Sequence, residues 1–243
     1  MFTPPKMDRR GFGLGLAALA GSAVVPRSAR AAGQSVLILG GSAIVGALGI
    51  AIETKMKERG FETHRKAKSS SGLARPDFYD WVEQGRALYA QHRPALTVVL
   101  YGGNDCQGLW MGKKASPPWI RWQEEGWSEE YRRRVIEVTR AVSPKGEKVA
   151  WLGMPMVRPE KLRRRLDRLN GIFRDAMAAC PNGQYIDLWS VLSDGKGGYA
   201  ELKTVDGKRR RMRAEDGIHL TRTGAIVLAD HICPQLAQVL GSA

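Results

Sequence analysis

Five short strand-like runs alternate with longer helical ones along this chain, and three of the five are apolar on both faces. These three are "SVLIL" (35–39), "LTVVLYG" (96–102) and "KVAWLGM" (148–154). A strand buried on both faces belongs inside a parallel sheet with helices above and below it. "FETHRKA" (61–67) is more polar and reads as an edge strand, and "QYIDLW" (184–189) reads as the fifth strand. Helical periodicity runs over 44–59, 77–92, 127–142, 159–179 and 221–239, with Ser128 as the expected cap of the third. Residues 194–213 read as a hairpin rich in Gly, Lys and Arg. Such alternation specifies an α/β fold with a doubly wound parallel sheet. Ligands of such sheets bind beyond the carboxyl ends of the strands.

The N-terminus does not fit that pattern. "DRRGFGLGLAALAGSAVVPRSARAA" has adjacent arginines, a weakly apolar Gly/Ala/Leu core and an Ala29-Arg30-Ala31 cleavage site. This reads as an export signal of twin-arginine type over residues 1–31, with one domain over 32–243. The protein is then expected in the periplasm or secreted, with no stable membrane span after cleavage. Cys106, Cys180 and Cys233 allow at most one disulfide, with the pair left open, and lack metal-ligand spacing. The net charge is +14, and about +10 remains without the leader. There is no nucleic-acid motif, so the charge reads as general electrostatics. Its densest part, "KRRRMR" (208–213), reads as a solvated basic hairpin, with attraction of an anionic envelope polymer as the alternative.

Polar residues gather where the strands end. The first strand delivers Gly40-Gly41-Ser42, the third Gly102-Gly103-Asn104-Asp105, and "EDGIHLT" before the last helix carries Asp216 and His219. A serine is a weak nucleophile until a base takes its proton, and the base needs a partner to fix its tautomer. Ser42, His219 and Asp216 supply those three roles. Oxyanion donors would be the Ser42 N–H, the Asn104 side chain and the N–H of Gly72 in the loop after the second strand. Such chemistry needs no metal and no cofactor.

This order of a glycine-flanked serine, a loop glycine, G-x-N-D and a late D-x-x-H resembles the SGNH, or GDSL-type, hydrolase superfamily. "YGGNDCQ", "WLGMPMVRPEKL", "LNGIFRDA", "YIDLWSVLSDGKGGYA" and "DGIHLTRTGA" resemble one exported bacterial branch of it. The resemblance implies a flavodoxin-like three-layer α/β/α fold with a five-stranded parallel sheet, and hydrolysis or transfer of acyl esters. It implies Ser42 as nucleophile, His219 as base and Asp216 as its orienter, with Gly72 and Asn104 completing the oxyanion hole. One position departs from the pattern: the usual Gly-Asp-Ser is Gly40-Gly41-Ser42 here. That aspartate mainly braces the loop, and Asp105 is the candidate to replace it.

The expected activity is an exported serine esterase acting on an acylated, O-acetylated cell-envelope carbohydrate. Two alternatives stay open: a lipid-type esterase or thioesterase with an apolar channel at Ser42, and a weakened polysaccharide-binding protein. Trp110, Trp119, Trp122 and Trp127 form either a packed insertion or an aromatic wall at the site. His64, His92 and His231 read as surface or packing residues.

Overall fold

A computed structural model describes Met1 and residues 33–241; the expected export signal lies outside the described residues apart from Met1. Five parallel strands form the main sheet: β1 (Ser35–Gly40), β2 (Glu62–Ala67), β3 (Leu96–Leu100), β6 (Lys148–Leu152) and β7 (Gly183–Ile186). Two short strands, β4 (Leu109–Trp110) and β5 (Trp119–Ile120), pair in an excursion after β3. The hairpin expected over 194–213 is β8 (Leu202–Val205) with β9 (Lys208–Arg211), the latter exposed along its length.

The sheet order is β2-β1-β3-β6-β7, the flavodoxin-like order, as expected. Side chains alternate across it as the pleat demands. Val36, Ile38, Leu96, Val98, Leu100, Ala150 and Leu152 face one core. There they meet α2 (Ala47–Glu58) and α6 (Arg222–Val239). Leu37, Leu39, Val99, Val149 and Trp151 face the other core. It is closed by α3 (Trp81–His92), α4 (Trp127–Ala141) and α5 (Glu160–Ala178). Burying each large aliphatic side chain stabilises the fold by about 1.5–3 kcal/mol, so both apolar faces of the central strands are needed and three layers result.

Several boundaries differ from the sequence reading. The helix expected over 44–59 is two helices, α1 (Ser42–Val45) and α2, parted at Gly46, which has extended backbone. The helix expected from residue 77 begins at Trp81, because the Asp80 carboxylate accepts from the N–H groups of Val82 and Glu83. Ser128 does not cap α4. The chain enters that helix through Gly126 at φ 82°, and the Ser128 hydroxyl accepts from Arg168 instead. The fifth strand stops at Ile186, before Leu188 and Trp189.

The four tryptophans form a packed insertion, and none lines the cavity at Ser42. Trp127 is fully buried and stacks on Tyr131, Trp122 packs on Trp127, and Trp110 packs on Trp119 across the β4–β5 pair. His64 and His92 are half-buried and stack on each other at 3.8 Å, and His231 bonds to the Asp187 carbonyl, all outside the lining of that cavity. All three cysteines are free.

Candidate active site

The strand order reverses between β1 and β3, so the loops leaving their carboxyl ends splay apart and open a crevice. The β1 loop carries Ser42 as the first residue of α1, and the β3 loop carries Asn104. A hydrogen bond of 3.3 Å from the Gly41 N–H to the Leu100 carbonyl ties the two loops at their base. Ser42, Asn104 and His219 all line one cavity of about 280 Å³, whose remaining wall is largely apolar: Leu48, Leu100, Met154, Val157, Leu162 and Leu166 among others.

His219 and Asp216 stand on the loop between β9 and α6. His219 Nδ1 lies 2.6 Å from Asp216 Oδ2. The other oxygen of that carboxylate accepts from the N–H groups of Ile218 and His219 at 2.7 and 2.9 Å. Gly217, at φ 68°, makes the reversal these bonds require. The hydrogen bond from His219, followed by those two N–H groups, holds the Asp216 carboxyl down to about 2 against a modest opposing effect of burial. An Nδ1–H donating to a carboxylate leaves Nε2 as the basic nitrogen. The His219 side chain is 58% exposed and Asp216 43%. The Ser42 hydroxyl bonds to no described residue, so its bond to His219 is open here. Such bonds commonly tighten only when substrate excludes water.

The three donors expected for the oxyanion each keep a hydrogen without an acceptor among the described residues. Neither the Ser42 N–H nor the Gly72 N–H donates to a described residue. The Asn104 amide donates one hydrogen to the Ser71 carbonyl at 3.0 Å, and its second has no acceptor among the described residues. Gly72 is not in the lining of the Ser42 cavity and lines a neighbouring one instead. Its loop nevertheless reaches the site, since a Cβ on Gly41 would stand 3.1 Å from the Ser71 carbonyl. A side chain at Gly41 would therefore crowd the contact that Asn104 and Ser71 make directly. Gly41 has φ −84°, so space and not backbone conformation favours glycine there.

Asp105 takes the bracing role expected of it. The residue is fully buried, and its carboxylate accepts from the Ala74 N–H at 2.7 Å and from the Tyr131 hydroxyl at 2.8 Å. It fills the space a Cβ on Gly72 would occupy, so alanine there would collide with it. Burial pushes the Asp105 carboxyl up, and those two hydrogen bonds partly offset the push. Arg134 holds the same loop from outside through the Leu73, Ala74 and Trp110 carbonyls.

Sequence reading missed Arg213, which it placed in a solvated basic run. Arg213 is 2% exposed and donates to the Ile218 carbonyl at 2.8 Å and to the Met156 carbonyl. It pins the His219 loop to the segment after β6. Burial pushes its guanidinium down to about 10. Nothing local distinguishes it from Arg209 or Arg210. Among the described residues no three His, Cys, Asp or Glu side chains converge as metal ligands. No helix among them is long and apolar enough to cross a membrane.

The family described as "Protein of unknown function (DUF459)" matches residues 35–235. No curated protein matches the chain. Solved structures share its fold at low identity. A variant of Axe2, an acetylxylan esterase from Geobacillus stearothermophilus, is 15% identical, with 86% of this chain and 95% of that chain covered and a TM-score of 0.56. A carbohydrate esterase of family 3 from Talaromyces cellulolyticus is 12% identical, covering 86% and 99%, with a TM-score of 0.58. The psychrotrophic esterase EstA from Pseudoalteromonas sp. is 10% identical, covering 86% and 99%, with a TM-score of 0.57. The architecture is that of the SGNH hydrolases, as the sequence resemblance implies.

Proposed function

We propose that this chain, which belongs to the family described as a protein of unknown function, DUF459, is an exported serine esterase acting on acyl esters of cell-envelope carbohydrate. One observation carries the reading: His219, oriented by Asp216 at 2.6 Å, shares a cavity wall with Ser42 and Asn104. The SGNH hydrolase-type fold and the names of its structural neighbours, acetylxylan and carbohydrate esterases, support the substrate class. Export and a periplasmic or secreted location rest on residues 1–31.

In the mechanism, His219 Nε2 takes the Ser42 proton as Oγ attacks the ester carbonyl carbon. The carbonyl oxygen becomes an oxyanion held by the Ser42 N–H, the Gly72 N–H and the Asn104 amide. The tetrahedral intermediate collapses, the ester C–O bond breaks, and His219 gives its proton to the departing sugar hydroxyl. Water, deprotonated by His219, then attacks the acyl-serine, and Ser42 leaves reprotonated. A sugar hydroxyl in place of that water makes the same site a transferase. A fluorophosphonate tests the nucleophile directly. Mass spectrometry is expected to find one adduct, on Ser42. A stoichiometric adduct elsewhere, or none, overturns the reading.

Because Asp216 is held down to about 2, it stays ionised well below the ordinary carboxyl value of 3.8. The pH profile of kcat/KM is therefore expected to show no inflection from this carboxyl down to about pH 3. An inflection near the ordinary carboxyl value would mean that Asp216 is not held down. The pair's contribution to stability has the matching sign. It is present above the ordinary carboxyl value of 3.8 and is lost as pH falls toward 2.

The apolar wall of the cavity favours a second reading of the acyl group, as longer than acetyl. Each buried methylene contributes about 0.8 kcal/mol. A p-nitrophenyl butyrate to acetate ratio in kcat/KM of about tenfold is then expected, and Ala47→Phe, which puts a ring into the cavity, should reverse the preference. A wild-type preference for acetate removes this reading and leaves the O-acetyl one.

A further inference from the structure

The inner face of α5 supplies Leu162 and Leu166 to the Ser42 cavity, and the adjoining face of the same helix is cationic. Lys161, Arg164, Arg165 and Arg168 line a cleft of about 290 Å³ closed by Trp122 and Gln123, with no carboxylate in the lining. Two of its guanidiniums, half-buried Arg165 and exposed Arg168, are held by neutral groups among the described residues. Arg165 donates to the Cys106 carbonyl at 2.5 Å and lies 5.2 Å over the Trp122 ring. Arg168 donates to the Ser128 hydroxyl at 2.7 and 3.0 Å and to the Trp122 carbonyl at 3.0 Å, and packs on Trp122 and Trp127 at 4.9 and 5.1 Å. Among the described residues, only Arg164 of the four cations has a carboxylate partner, Glu160. Neutral acceptors and ring faces fix the direction of a guanidinium without cancelling its charge. Ordering several like charges around a concavity raises their mutual repulsion, and an entering anion relieves it.

The cleft also adjoins the chemistry. The Cys106 carbonyl that Arg165 grips is two residues past Asn104, so the cleft begins at the rim of the oxyanion loop. A polymer whose ester carbonyl sits at Ser42 must leave the cavity along a neighbouring surface, and this cleft is such a surface with a defined charge.

We propose that the α5 cleft binds the anionic sugar residues of the substrate polymer, so that the acyl ester sits on a glycan bearing carboxylate or phosphate groups. The proposal rests on the esterase reading for its placement, not for the binding itself. A glycan fits better than the other polyanions. A nucleic acid offers no acyl ester to Ser42. A lipid surface would call for apolar side chains around the cations, whereas the exposed large apolar residues Val45, Ile50, Phe78, Leu202 and Ile226 lie outside the cleft lining.

Binding is tested on the Ser42→Ala protein, whose turnover is expected to be about 10⁴-fold slower or more, by affinity electrophoresis in polygalacturonate and by calorimetric titration. Single-stranded DNA and phosphatidylglycerol vesicles serve as competing anions. A triple variant, Lys161→Gln/Arg164→Gln/Arg165→Gln, is compared with Lys208→Gln/Arg209→Gln/Arg210→Gln, which removes the same charge from the β9 edge of the hairpin. The cleft variant is expected to bind polygalacturonate about tenfold more weakly and with a shallower salt dependence, and the hairpin variant to lose about twofold or less. Thermal melts confirm that both variants fold. Should the cleft triple unfold, the exposed pair Lys161→Gln/Arg164→Gln is expected to lose about threefold. Equal losses from cleft and hairpin variants would overturn the proposal, as would cleft-dependent binding that is tighter to DNA or vesicles than to polygalacturonate. Wild-type turnover of p-nitrophenyl acetate is measured separately, so a failed esterase reading and a failed cleft give different results.

Discussion

Ser42→Ala is expected to lower kcat for p-nitrophenyl acetate by about 10⁴-fold or more, and His219→Ala by a similar factor. The double variant should be little worse than either single one. The reason is mechanistic coupling: the hydroxyl is unreactive without a base, and the base has nothing to activate without the hydroxyl. The activity that remains would come from binding and from the donors of Ser42, Gly72 and Asn104, none of which needs the hydroxyl or the imidazole. Removing the Asn104 side chain donor is accordingly expected to cost less, about 10²–10³. Single variants that keep wild-type turnover, or losses that simply add, would separate Ser42 from His219 and refute the proposed pair.

Asp105→Ala is expected to damage stability and catalysis together. The substitution leaves the buried Ala74 N–H and Tyr131 hydroxyl without their acceptor. Each orphaned group costs about 1–3 kcal/mol, so a loss of about 2–6 kcal/mol is expected in a denaturant titration. The same change removes what the Gly72 loop packs against. The oxyanion donor on that loop then loses its position, and kcat should fall by about 10²-fold in the fraction that remains folded. Tyr131→Phe serves as the milder comparison. It removes one of the two hydrogen bonds and no contact with Gly72, so it should destabilise while leaving kcat within a few-fold. Equal kcat losses in the two variants would mean that global softening, not the Gly72 loop, is responsible.

These two results bear on how a chain without the usual aspartate before its serine keeps the site in order. Gly41 leaves room, Asn104 bonds across that room to Ser71, and Asp105 anchors the following residues from below. The bracing has moved from the nucleophile's own loop to the loop after β3. The adjacency of Asn104 and Asp105 in the sequence hinted at it, but which groups Asp105 would meet was not readable. The four tryptophans show the opposite limit. Their crowding was plain, yet the same composition suits a wall at the site or a buried insertion, and only their packing on Tyr131 and on one another separates the two.

Local chemistry is short-ranged, and the sequence by itself determined whatever depends on it. Short continuous apolar runs demanded a parallel sheet buried on both faces. The glycine-flanked Ser42 and the three-residue spacing of Asp216 and His219 placed the candidate chemistry at strand ends, because a hydrogen bond across a tight turn needs only neighbours. Tertiary structure alone decided the pairings between distant segments: Asp105 with Ala74 and Tyr131, Arg213 with Met156, and Arg165 with the Cys106 carbonyl. Each is a buried or half-buried polar contact between residues 26 to 59 positions apart. No periodicity encodes such a contact. It exists because closing the three layers takes those groups out of water, and each must then find its partner inside the fold.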